Sequence, residues 1–171
     1  MIILDITAGN RHIYGGYIPQ EILERRDSGE AIIYMDLEVN LKVPPDVACD
    51  LKYLPIRGRI VDLIVVDLPY WNFGTSRFHG DPKEARASFW GNFKNLKNLL
   101  KLLVGVVKTS NRVLRHDGIV WLKWCDVVYP WSRFASMFTW SFREEERYEW
   151  SSKGRGLKPC YWISYRLKPT S

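Results

Sequence analysis

The chain of 171 residues has only three cysteines, Cys49, Cys125 and Cys160. They are odd in number, far apart and never at zinc-ligand spacing, so neither a disulfide framework nor a zinc site is indicated. Cys49 and Cys125 fall in apolar runs and read as small buried hydrophobes. A reducing, cytoplasmic compartment is the expectation. The three histidines, His12, His79 and His116, are not spaced as metal ligands either, and no metal is expected. Glutamine occurs once, at Gln20, a depletion in keeping with a thermophile source. No apolar run is long enough to span a bilayer, and no basic segment precedes the first apolar stretch. Neither a membrane association nor a signal peptide is therefore expected. A Gly-x-Gly-x-x-Gly turn is missing. Only Gly9 stands in the loop after the first apolar run, which excludes the usual cradle for a nucleotide pyrophosphate. Repeats and low-complexity segments are absent, and residues 1–171 read as one domain.

What is present is a soluble globular composition, 46% hydrophobic and 26% charged, with a net charge of +6. A basic balance of this size favours polyanionic partners. Eight tryptophans and nine tyrosines are unusual for this length; most are expected in the core, and some are candidate stacking surfaces for bases.

The most informative stretch is Ile60 to Gly74, IVDLIVVDLPYWNFG. Leu63 to Val66 is apolar and rich in β-branched residues, as suits a strand buried on both faces of a parallel sheet. Pro69 cannot donate a ladder hydrogen bond, so the strand must stop near it. Asp67, Leu68, Pro69, Tyr70 and Trp71 then sit at a strand's C-terminal end, where open α/β sheets bind ligands. Asp67 and the Leu68 carbonyl can accept both N–H groups of an exocyclic amine, while Tyr70 or Trp71 stacks on its ring. Accepting those bonds withdraws the nitrogen lone pair from the ring and makes it more nucleophilic.

Apolar runs also end in Asp5, Asp36, Asp50 and Asp126. Taken singly, each aspartate is the residue type that caps a helix. Five strand-end carboxylates together imply a shared electrostatic purpose, suited to a cationic ligand with hydroxyl and amine donors. Between the runs, a short helix is predicted over Gln20 to Arg26. A long one, with Leu96, Leu99, Leu103 and Val106 on its apolar face, runs to about Arg115 and stops at Asp117-Gly118. Asp81-Pro82 has the form of a helix start. Ile119 to Trp124 is predicted as the fifth strand, Trp131 to Met137 as a short helix, and Phe138 to Phe142 and Tyr161 to Leu167 as two antiparallel edge strands. Glu144 to Glu146 reads as a solvated face.

Asp67-Leu68-Pro69-Tyr70 resembles the D/N-P-P-Y/F motif of the S-adenosylmethionine (SAM)-dependent amino-methyltransferases, with Leu68 in place of a proline. Asp5-Ile6-Thr7-Ala8-Gly9-Asn10 is similar to the first motif of class I methyltransferases, and Val113 to Ile119 to their approach to the fifth strand. Together the matches cover about Ile2 to Trp124. The resemblance implies a Rossmann-like class I methyltransferase fold: a mostly parallel seven-stranded sheet with an antiparallel C-terminal strand and helices on both faces. It implies SAM bound by Asp5, Thr7, Ala8, Gly9, Asn10, Arg11, Asp36, Asp50, Leu51 and Asp67, with Asp36 toward the ribose and Asp50-Leu51 toward the adenine. It implies catalysis by Asp67, Leu68, Pro69 and Tyr70, with substrate contacts from Tyr70, Trp71 and His79. Arg11 departs from the family, which usually has a second glycine there.

The activity implied is methyl transfer to the exocyclic amine of a nucleobase, adenine or cytosine in DNA ahead of RNA. An RNA methyltransferase, a small-molecule methyltransferase and a non-catalytic SAM-binding subunit stay open beside it. Target recognition would come from the loop Thr75 to Phe89, from a homodimer or from a separate specificity subunit. The loop Trp71 to Asp81 is expected to move before substrate binds. Lys153, Arg155, Lys158, Arg166 and Lys168, interleaved with Tyr161, Trp162 and Tyr165, suit either a nucleic-acid surface or an edge hairpin guarded by cations.

Overall fold

The structure, a computed structural model, describes residues 1–7, 18–37, 39, 42–68, 96–126, 129–150 and 159–169. Their strands form one seven-stranded sheet, in the order β3-β2-β1-β4-β5-β7-β6. β1 (Ile2–Asp5), β2 (Ala31–Asp36), β3 (Val47–Ala48), β4 (Val61–Asp67) and β5 (Leu114–Cys125) are parallel. β7 (Cys160–Leu167) runs antiparallel between β5 and β6 (Phe142–Trp150). The helices are α1 (Gln20–Asp27), α2 (Leu96–Val113) and α3 (Ala135–Thr139), with 3₁₀ turns at Leu51–Tyr53 and Trp131–Arg133.

β4 lies near the middle because its sequence suits no other place. Val61, Leu63, Ile64, Val65 and Val66 are all fully buried, each stabilising the fold by about 1.5–3 kcal/mol. Alternate residues feed two cores. Ile64 and Val66 join Leu99, Leu103 and Val106 of α2 and Phe138 of α3 on one face. Leu63 and Val65 join Ile3, Trp121, Trp162 and Ile22 of α1 on the other. Helices therefore cover both faces, as the resemblance implies.

Three expectations are corrected. Phe138 lies in α3 rather than in a strand, its ring buried among Trp131, Phe142 and Tyr165. The strand begins at Phe142 and carries Glu144, Glu145 and Glu146 on a solvated face, where Glu144 and Glu145 pair with arginines and Glu146 accepts the Tyr148 hydroxyl. Of the two antiparallel strands only β6 lies at an edge of the sheet among the described residues, since β7 is inserted beside β5. The long helix ends at Val113 and β5 follows at Leu114, so Arg115 to Gly118 belong to the strand.

The cysteines are the third correction. Cys125 and Cys160 are bonded, with Cα atoms 4.0 Å apart. Thirty-five residues separate them in sequence, yet antiparallel pairing sets them directly opposite at the open end of β5 and β7. Spacing along the chain cannot reveal such a pair. The bond also removes the support that the cysteines lent to a reducing compartment. Cys49 is free. Among the described residues no helix is long and apolar enough to cross a membrane.

Candidate active site

The parallel register gathers the strand-end carboxylates. Asp5 faces Tyr34 on β2 and Val65 on β4. Asp36 and Asp67 each lie two residues beyond those partners, level with each other on either side of Asp5 and two residues further along the strands. Because side chains alternate with period two, all three project to the face that α1 covers. Asp36 in turn faces Ala48, which puts Asp50 two residues further along. The arc therefore runs Asp67, Asp5, Asp36, Asp50.

Short hydrogen bonds fix the inner half of the arc. Asp5 is fully buried, and its Oδ1 accepts the Thr7 backbone N–H at 3.2 Å. The Thr7 hydroxyl accepts the Asp67 backbone N–H at 2.6 Å. The Ile6 N–H donates to the Val65 carbonyl at 3.1 Å. Thr7 thus stitches the end of β1 to the end of β4. At the outer half, the Cys49 N–H donates to the Asp36 carbonyl at 3.0 Å. The Cys49 thiol is pushed up, by burial first and then by the negative fields of Asp50 and Asp36. Both carboxylates therefore act on the same small volume.

Asp67 has a partner that sequence reasoning missed. Lys123, opposite it on β5, donates from Nζ to Oδ2 at 2.8 Å. Their side chains are 9% and 11% exposed respectively. Burial pushes the Asp67 carboxyl up, and the Lys123 ammonium pulls back against it without cancelling the rise. Oδ1 of Asp67 is buried with no partner among the described residues. The available signal was a lone cation inside the apolar run Ile119 to Cys125. Leu68 follows with its side chain fully buried in the α2 face core, which anchors the chain just past the carboxylate.

The structure also places several other expected residues. Asp126 is a cap: Oδ1 accepts the Trp131 N–H at 2.7 Å and Oδ2 the Tyr161 hydroxyl at 3.2 Å. Leu51 sits in the core, and its carbonyl accepts the Thr109 hydroxyl at 2.8 Å. Of the basic run, Arg166 is ion-paired to Glu145 and Lys168 donates to the Thr139 carbonyl. Ala8, Gly9, Asn10, Arg11, Pro69, Tyr70, Trp71 and His79 lie outside the described residues. So do the loop Trp71 to Asp81, the helix start at Asp81-Pro82, and Lys153, Arg155 and Lys158. Among the described residues, no group of His, Cys, Asp or Glu is arranged to hold a metal ion.

Strand order, register and the helices on both faces define a Rossmann-like fold of the class I methyltransferase type. Solved structures share it. A SAM-dependent methyltransferase from Methanosarcina mazei matches with a TM-score of 0.59 at 11% identity, over 98% of this chain and 93% of that one. The 1,6-didemethyltoxoflavin-N1-methyltransferase of Burkholderia thailandensis, solved with 1,6-didemethyltoxoflavin and S-adenosylhomocysteine, matches at 0.57 and 12% identity, over 98% and 71%. The N-methyltransferase NodS of Bradyrhizobium japonicum, solved with S-adenosylhomocysteine, matches at 0.54 and 11%, over 98% and 77%. No family model and no curated protein matches the sequence.

Proposed function

We propose that the chain is a SAM-dependent N-methyltransferase acting on an amine carried by a flat heteroaromatic ring. The observation that carries the reading is Oδ1 of Asp67, a buried acceptor at the end of the central strand with no partner among the described residues. An amine N–H donated to Oδ1 is oriented and made more nucleophilic. When that nitrogen gains a fourth bond it must shed a proton, and Oδ1 is placed to receive it and pass it to water. The residues fit the cofactor. A sulfonium and an ammonium are cations, and ribose hydroxyls are donors. The arc Asp5, Asp36 and Asp50 offers carboxylates to these and no phosphate cradle. When bound, SAM supplies an electrophilic methyl group on a sulfur that leaves as a neutral thioether.

Two carriers of the amine are supported by different observations. A nucleobase in a nucleic acid, DNA ahead of RNA, is supported by the net charge of +6 and the Asp67-Leu68-Pro69-Tyr70 resemblance. A small-molecule heteroaromatic is supported by neighbours in fold such as the Burkholderia enzyme. Calorimetry should show SAM binding that is lost in Asp36→Ala, a half-buried residue whose removal leaves the core intact. Mass spectrometry after incubation with nucleic acids, and separately with free nucleobases, then identifies the acceptor. Binding of NAD with none of SAM would sink the reading.

A further inference from the structure

The Asp67–Lys123 pair limits what kind of amine the site can take. We propose that Lys123 is a specificity-determining positioning residue, which by occupying Oδ2 of Asp67 makes the site select uncharged N–H donors and reject protonated alkylamines. The inference rests on the reading of Asp67 as the amine acceptor and goes one step further, to the charge of the substrate.

The geometry carries the argument. A carboxylate alone at a buried strand end would be neutralised best by an ammonium, since each buried charge needs a counter-charge. Here that place is taken by Lys123 Nζ, 2.8 Å from Oδ2. A second ammonium on Oδ1 would have to share the Asp67 carboxylate with Lys123 and stand close to another ammonium in a poorly solvated site. An aryl amine or amide N–H brings no charge and satisfies Oδ1 with one hydrogen bond. The choice also suits the chemistry. A protonated alkylamine has no lone pair to attack with, whereas an aryl amine keeps its own at neutral pH.

Groups on the neighbouring elements have partners of their own. On α1, Glu21 is already engaged, through Oε1 with Arg25 at 2.8 Å and through Oε2 with the Trp121 indole N–H at 2.9 Å. On β1, Asp5 Oδ1 holds the Thr7 N–H. On β7, Lys123 is faced by Trp162, which carries no charge.

The test reads Asp67 directly. The full chain is labelled with aspartate enriched in ¹³C at the carboxyl, saturated with S-adenosylhomocysteine, and titrated with cytosine or with butylammonium. The Asp67 resonance is assigned by its loss in Asp67→Asn. In the wild type, cytosine should move it at concentrations at least about tenfold below butylammonium, a modest step for a like-charge clash. In Lys123→Met the order should reverse, and Lys123→Arg should restore it. Should Lys123→Met fail to fold, Lys123→Gln removes the charge while keeping a donor to Oδ2. Butylammonium preferred by the wild type, no response to either probe, or an unchanged order without the lysine charge would each overturn the inference. Calorimetry keeps the two claims apart. Absent SAM binding counts against the proposed function, while SAM binding with an unchanged probe order counts against Lys123 alone.

Discussion

Replacing both members of the Asp67–Lys123 pair is expected to restore the stability that replacing either one removes. With both side chains about nine-tenths buried, the small figures for surface ion pairs do not apply. Asp67→Asn takes the Asp67 carboxylate from the buried Lys123 ammonium, and Lys123→Met takes the ammonium from the buried carboxylate. Each single change is therefore expected to cost about 3–5 kcal/mol. In a domain of this size that lowers the melting temperature by roughly 6–20 °C, at about 2–4 °C per kcal/mol. The double variant Asp67→Asn/Lys123→Met has no buried charge to strand, and replacing a buried pair by neutral groups is often neutral or stabilising. It should melt within a few degrees of the wild type while losing methyl transfer. The pH dependence has a definite sign. Because the folded carboxyl is raised, its contribution is full below the unfolded value and is lost as pH rises through the folded one. From about pH 4, near the unfolded aspartate value, the wild type should lose stability relative to the double variant as pH rises. Thermal melts followed by circular dichroism measure both effects. A double variant whose loss equals the sum of the two single losses would refute the reasoning, because it would show the side chains to be uncoupled.

Reducing the Cys125–Cys160 bond removes a link that closes a loop of 35 residues; chain entropy puts its contribution at about 4 kcal/mol. The melting temperature should fall accordingly in dithiothreitol, and a melt indifferent to reductant would show that the bond does not form. Tyr165→Phe removes the oxygen that accepts the buried Trp131 indole N–H at 3.0 Å and should cost about 1–3 kcal/mol, the penalty for an unmade buried hydrogen bond. A denaturant midpoint equal to that of the wild type would contradict that assignment. Leu68→Ala opens a cavity in the core that anchors the end of β4, with an expected loss of about 2–5 kcal/mol. Melts check the loss, and a change within error would mean that the site's floor repacks.

The parallel half of the fold was legible because its signals are local. β-branched runs closed by aspartates mark β1, β2 and β4, and α2 shows its apolar face at helical spacing. That those carboxylates share one rim follows once the strands are parallel, while their order along it is set by the strand order. The C-terminal third was less legible because there tertiary packing overrides local pattern. Ala135 to Thr139 has a strand-like neighbour in Phe142, yet Phe138 gains more by joining Trp131 and Tyr165 in the α2 face core. The cross-strand disulfide and the Arg166–Glu145 ion pair are contacts between segments far apart in sequence. Asp126 shows the opposite failure. It obeys the rule of a strand-ending aspartate and is nonetheless a cap, since the turn beginning at Trp131 offers it an N–H.

Lys123 was illegible for a deeper reason, which is that its partner is decided by a bulge. At the start of the β4–β5 ladder Val61 faces Leu114, and from there a regular parallel register would bring Val120 opposite Asp67. The ladder instead resumes with Leu63 facing Ile119, so β5 absorbs three more residues than β4 before the two strands run together again. An odd number of extra residues exchanges the two faces of the strand, and a slip of that kind changes which side chains meet. It replaces Val120 by Lys123 opposite Asp67 and puts the ammonium on the side of the carboxylate. Gly118 is what lets the extra residues fold into so little space. A Cβ there would stand 2.7 Å from Leu114 Cδ2 and 3.1 Å from the Arg115 carbonyl oxygen. The segment Arg115-His116-Asp117-Gly118, read from sequence as the end of a helix, is thus part of the site's construction. It sits at the opposite end of the sheet from Asp67 and acts on it only through register.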